Sequence, residues 1–132
     1  MSEEIDLLIV DDEPQLRELF AATFHRHGLT VQSAGNGLQA LRTMEAFKPK
    51  VLLTDIYMPD MDGLELIMRA RTICPGLKIV AISGGGSTQY GDQLDSASLF
   101  GADAILQKPI TRAVLIEKVM AFLDKASSPT KD

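Results

Sequence analysis

The chain has 132 residues, 45% of them hydrophobic, and a net charge of −5, which suits one domain with a single sizeable core. No apolar run is long enough to span a membrane, the start MSEEIDLL lacks a signal peptide's basic residues, and no dense Lys/Arg run offers a nucleic-acid surface. Cys74 is the one cysteine, which excludes an internal disulfide and suits a reducing cytoplasm.

The run LLIV, Leu7–Val10, predicts a buried strand, and Asp11, Asp12 and Glu13 follow it at once. Three adjacent carboxylates repel one another by roughly 1 kcal/mol or more per pair near a surface. A cation, a helix N-terminus or both is therefore expected at that point. Pro14 fits the first turn of a helix with an apolar stripe at Leu16, Leu19, Phe20 and Phe24, and Gly28 is placed to stop it. A strand at Thr30–Ser33 leads to a second helix near Leu38–Phe47, closed off by Pro49. A third strand, Val51–Thr54, precedes a helix near Leu64–Ile73 that ends before Pro75. The fourth strand is Lys78–Ile82, followed by a helix near Asp92–Phe100 with Gly101 behind it. A fifth strand, Ala104–Leu106, leads to a last helix, Thr111–Lys125, with Thr111 as its N-cap. The domain is expected to occupy residues 1–125. Residues 126–132, ASSPTKD, have the composition of a short polar, disordered tail.

Five β-α repeats predict an α/β, doubly wound parallel sheet covered on both faces. Such sheets bind ligands at the C-terminal ends of their strands, where the strand order reverses. The first strand ends in Asp11 and Asp12, the third in Asp55, the fourth in Ser83, and the fifth leads to Lys108-Pro109. The second ends in Ala34-Gly35, without a chemically active side chain. That pattern suits the order 2-1-3-4-5, with the crevice over the first and third strands. Converging carboxylates are hard oxygen donors that suit Mg²⁺ and leave open positions for a phosphoryl oxygen.

The acid pair, the stretch TDIYMPDMDG around Asp55, Ser83 and the Lys108-Pro109 pair together resemble the CheY-like receiver domain of bacterial two-component response regulators. The resemblance spans roughly residues 5 to 125. It implies a flavodoxin-like (βα)5 fold with that same strand order, so the order is one expectation and not two. It also implies that Asp55 accepts a phosphoryl group from a sensor histidine kinase or phosphotransfer protein. Asp12, Asp55 and the backbone carbonyl of Tyr57 would ligate Mg²⁺, with Asp11 acting through water. Ser83 and Lys108 would each meet a phosphoryl oxygen, and a cis bond is expected before Pro109. The switched surface would comprise the fourth predicted helix, the fifth strand and the last helix. The resemblance further implies a cytoplasmic monomer or weak dimer that engages an unidentified downstream protein and acts as a signalling switch, not as an enzyme on outside substrates.

Other assignments are open for the same residues. Asp12 also suits a helix cap, Asp55, Asp60 and Asp62 suit turns, Ser83 a plain strand end and Lys108 a solvated surface position. His25 and His27 read as exposed residues at a helix C-terminus, and Met58 and Met61 as loop packing. Three features depart from the family pattern. Ile105 replaces an aromatic lever, SGGGSTQYGDQ is a long glycine-rich loop with Tyr90 as its one ring, and Tyr57 and Gly85 flank the expected site. The leading expectation is a stand-alone phosphoacceptor. The alternatives are a receiver cut from a longer regulator, or a Mg²⁺-dependent phosphohydrolase, which would generally need an acid where Tyr57 stands.

Overall fold

The computed structural model describes residues 3–56, 58, 61, 63–83 and 101–127. The fourth predicted helix, the loop after Ser83 with Gly85 and Tyr90, and Tyr57, Asp60 and Asp62 lie outside those residues. The described strands are β1 (Glu3–Val10), β2 (Val31–Ala34), β3 (Phe47–Asp55), β4 (Lys78–Ser83) and β5 (Ala104–Gln107). The described helices are α1 (Pro14–Arg26), α2 (Gly37–Ala46), α3 (Gly63–Ile73) and α4 (Arg112–Ser127). All strand pairs are parallel and the order is β2-β1-β3-β4-β5, the flavodoxin-like arrangement expected from the sequence.

The two-residue side-chain period of a strand explains how a continuous apolar run serves two layers. Leu8 and Val10 of β1, with Leu52 and Ile79, meet Ala40 and Met44 of α2 and Leu66, Ile67 and Ala70 of α3. Leu7 and Ile9, with Val51, Leu53, Val80 and Ile82, meet Phe24 of α1 and Leu115, Val119 and Leu123 of α4. Each fully buried side chain of this kind contributes roughly 1.5–3 kcal/mol. The helices are thereby fixed on both faces, and the strand ends emerge together at one edge.

Local signals set most of the boundaries. Gly28 has φ +85° behind α1, as expected of a helix stop. Asn36 caps α2 by accepting from the Gln39 amide at 2.9 Å, and Thr111 Oγ1 accepts from the Val114 amide at 3.2 Å before α4. His25 and His27 are exposed at the end of α1.

Three details differ from the expectations. Phe47 belongs to β3 and not to the second helix, so α2 passes into β3 with no loop between them. Pro49 therefore lies inside a strand. It is tolerated because residues 47–50 pair only with β1, while β4 joins the ladder at Val51. Leu19, one of the four stripe residues of α1, is 44% exposed on the rim of an open apolar groove against Pro109, Ile110 and Leu115. The last helix also runs to Ser127, two residues past its expected end.

Candidate functional site

The ladders bring the predicted residues side by side. Val10 pairs with Thr54, so Asp11 and Asp55 are the next residues on neighbouring strands. Asp55 pairs with Ile82 and Ser83 pairs with Gln107, which places Ser83 and Lys108 at the same sheet edge. The Lys108 amide donates to the Ser83 carbonyl at 2.9 Å and continues the ladder by one bond. The Lys108-Pro109 bond is cis, as the resemblance implied.

One oxygen from each of Asp11, Asp12 and Asp55 falls within a cluster no wider than 4.8 Å. Asp55 is 6% exposed and Asp11 2% exposed, whereas Asp12 stands at the solvent side. Lys108 Nζ lies 3.4 Å from Asp55 Oδ2. Ser83 is buried at the end of β4. Tyr57, whose carbonyl was assigned to the metal, lies outside the described residues. The donors present fit Mg²⁺: three carboxylates within reach of one ion supply hard oxygens and the charge that such an ion offsets.

The turn that carries the acid pair is held by its own backbone. The Asp11 amide donates to the Ala34 carbonyl at 3.2 Å, and Asp11 Oδ1 accepts from the Glu13 amide at 2.9 Å. Asp11 thus holds the turn just before α1, whose N-cap residue, Glu13, makes no side-chain capping bond. Behind Asp55, the Gly63 amide donates to the Ile56 carbonyl at 2.7 Å and closes the loop into α3. Sequence reasoning passed over two residues here. Arg17 donates through Nη1 to the Asp11 carbonyl at 2.7 Å, and Gly63 packs against the backbone of Asp55. The DG pair before an apolar helix marks a turn at the second, but not its contact with Asp55. Arg17 had no signal beyond its place at the border of the apolar stripe, three residues before Phe20 and seven before Phe24.

Desolvation in this pocket raises the Asp11 carboxyl above its ordinary value. The bond from the Glu13 amide opposes the shift, Asp55 adds to it, Lys108 opposes it and Asp12 adds to it. The folded state therefore holds this proton more tightly than the unfolded chain, whose carboxyl titrates near 3.8. The stabilisation from Asp11 is present below that value and is lost as pH rises through the raised one. At neutral pH without metal, ionised Asp11 is a net cost. Asp11→Asn keeps an acceptor for the Glu13 amide and is expected to stabilise the metal-free protein at pH 7 by about 1 kcal/mol, roughly 4 °C in melting temperature. Thermal unfolding in EDTA from acid to neutral pH checks this. The gain should shrink toward acid pH, and a gain that grows instead contradicts the assignment.

Among the described residues no helix is long and apolar enough to cross a membrane. The family model "Response regulator receiver domain" matches residues 7–120. The chain is 36% identical over 121 residues to an uncharacterized 14.6 kDa protein of Leptolyngbya boryana, covering 90% of both chains. It is 30% identical to sporulation initiation phosphotransferase F of Bacillus subtilis, covering 97% of this chain and 99% of that one. Against the CpxR homolog of Haemophilus influenzae the identity is 32%, but the chain spans only 53% of that transcriptional regulatory protein. The crystal structure of a CheY-like receiver domain protein from Methanospirillum hungatei superimposes with a TM-score of 0.85 at 28% identity, covering 98% of this chain and all of that one. The chain belongs to the response regulator receiver domain family.

Proposed function

We propose that this chain is a phosphorylation-switched signalling module in which Asp55 accepts a phosphoryl group from a phosphohistidine on a sensor kinase or phosphotransfer protein. The observation that carries this reading is the cluster of three carboxylates beside Lys108, gathered at the ends of β1, β3 and β5. An Asp55 oxygen would form the new O–P bond while the donor's P–N bond breaks, the imidazole nitrogen keeping the electron pair. Ser83 would donate its hydroxyl to one equatorial oxygen and Lys108 would neutralise another. Asp11, Asp12 and Asp55 would hold Mg²⁺, which when bound supplies charge stabilisation for the transferring phosphoryl group. Attack by the Asp55 carboxylate requires that Lys108 leave room for the incoming phosphorus, and its partly exposed ammonium can shift to do so.

Output in this reading passes through protein contacts in the cytoplasm. The same module serves in chains of similar length and in longer regulators, as the relatives' lengths show. The test is incubation with acetyl phosphate, with and without Mg²⁺, followed by intact mass. One phosphoryl group should be gained with Mg²⁺ present and none in EDTA, and Asp12→Ala should gain little or none even with Mg²⁺. A chain that gains no mass, or gains it equally without Mg²⁺, contradicts the reading.

A further inference from the structure

We infer that Arg17 is a positioning residue that holds the acid-bearing turn in its metal-binding shape, an assignment that rests on the phosphoacceptor reading above. The Asp11 peptide group is pinned on three sides. Its amide donates to β2 at Ala34, its side chain accepts from the Glu13 amide, and its carbonyl accepts from Arg17 Nη1 at 2.7 Å. The third bond governs Asp12. The peptide unit from Asp11 to Asp12 is planar, so fixing the Asp11 carbonyl fixes the plane from which the Asp12 side chain departs. Asp12 is exposed, and among the described residues none bonds its side chain, whereas its two fellow carboxylates are buried. Its approach to within 4.8 Å of the others thus depends on the backbone behind it.

Arg17 is itself held in place. It stands on α1, half-buried, six residues after the carbonyl it bonds. A Cβ at Gly35 would meet Arg17 Nη1 at 3.2 Å, so the bare Gly35 backbone makes the room the guanidinium occupies. The Gly35 amide donates to Gln39 Oε1 at 2.9 Å, which fixes that backbone to α2. The end of β2 carries no acid of its own, yet it shapes the site through Arg17. A bond from a charged donor to a carbonyl is among the stronger kinds, and only one of the five guanidinium donors makes it. A lysine can therefore supply the same single bond.

The test uses the whole chain and two readouts besides phosphorylation: Mg²⁺ affinity by calorimetric titration and exchange of the Glu13 amide by NMR. Arg17→Met should weaken Mg²⁺ at least tenfold and speed Glu13 exchange at least fivefold, with β1 amides unchanged. At saturating Mg²⁺ its phosphorylation rate should return to within about threefold of the parent. Arg17→Lys should restore Mg²⁺ affinity to within threefold, and Gly35→Val, which crowds the guanidinium, should reproduce Arg17→Met. A Mg²⁺ affinity within twofold of the parent in Arg17→Met overturns the inference, as does a lysine variant as weak as the methionine one. Failure of the phosphoacceptor reading shows separately, as a parent chain that gains no phosphoryl group. In that case Glu13 exchange alone decides whether Arg17 holds the turn.

Discussion

Asp55→Asn is expected to abolish the phosphoryl gain completely while leaving the fold intact. An amide oxygen is a far weaker nucleophile than a carboxylate, and Asp11 and Asp12 are placed by their turn to flank Asp55, not to replace it. Two opposing effects set the stability of the variant. The pair with Lys108 is lost, but that lysine is 35% exposed, and ion pairs of this kind contribute little, about 0–1 kcal/mol. Repulsion among three clustered carboxylates is relieved at the same time, by a comparable or larger amount. The relief wins. In EDTA the melting temperature should stay within about 5 °C of the parent's, on the high side. Intact mass after acetyl phosphate treatment and thermal unfolding check the two halves. A stoichiometric phosphoryl gain in Asp55→Asn contradicts the first, and a large drop in stability contradicts the second.

Gly63→Ala should carry the largest stability loss among single small substitutions near the site. A Cβ there would meet the Asp55 carbonyl oxygen at 2.5 Å and the Ile56 Cα at 2.6 Å. Both are backbone atoms at the end of a central strand, so neither can swing aside as a side-chain tip would. Alanine is the better helix former, by up to about 1 kcal/mol. The crowding outweighs that gain: overpacking of this kind costs typically 1–3 kcal/mol and occasionally more. A net loss of about 2 kcal/mol, roughly 7 °C in melting temperature, is expected. The displaced backbone is that of Asp55 itself, so phosphorylation at saturating Mg²⁺ should slow by a factor of about ten to a hundred. Denaturant unfolding together with a phosphorylation time course reads both effects. A variant as stable and as fast as the parent would show that the loop into α3 yields without disturbing the acid cluster.

These two substitutions mark the boundary of what the sequence made legible. Asp55 was visible because it ends a β-branched and leucine-rich run, and because Asp11, Ser83 and Lys108 end or follow the neighbouring runs. In a parallel sheet, strand ends are where chemistry collects, so a list of strand ends is nearly a list of site residues. The sheet itself was legible from LLIV, VLLT and KIVAI, whose uninterrupted apolar character fits burial on both faces.

Packing between backbones left no such mark. Gly63 looks like an ordinary turn glycine until the Asp55 carbonyl is found against it. Arg17 looks like a charged residue bordering the apolar stripe of α1 until the folded turn presents a carbonyl to it. Pro49 reads as a stop, and only the absence of β4 beside residues 47–50 explains why it sits within a strand. Leu19 obeys the helical period and is still exposed, because the period fixes a face and not what covers it. The switch is the least legible part. The structure places Ile105, where the family's aromatic lever would stand, on β5, half-buried and packed against the α2–α3 side of the core. The glycine-rich loop after Ser83 lies outside the described residues.

The central claim is that one carboxylate, Asp55, takes the phosphoryl group as an acyl phosphate. Borohydride reduction tests it most directly, because hydride converts an acyl phosphate to an alcohol and leaves free carboxylates alone. After treatment with acetyl phosphate and Mg²⁺, reduction and tandem mass spectrometry of peptides should find homoserine at position 55 and nowhere else. Homoserine at Asp11 or Asp12, or a phosphoryl group that survives reduction on a serine or histidine, would contradict it.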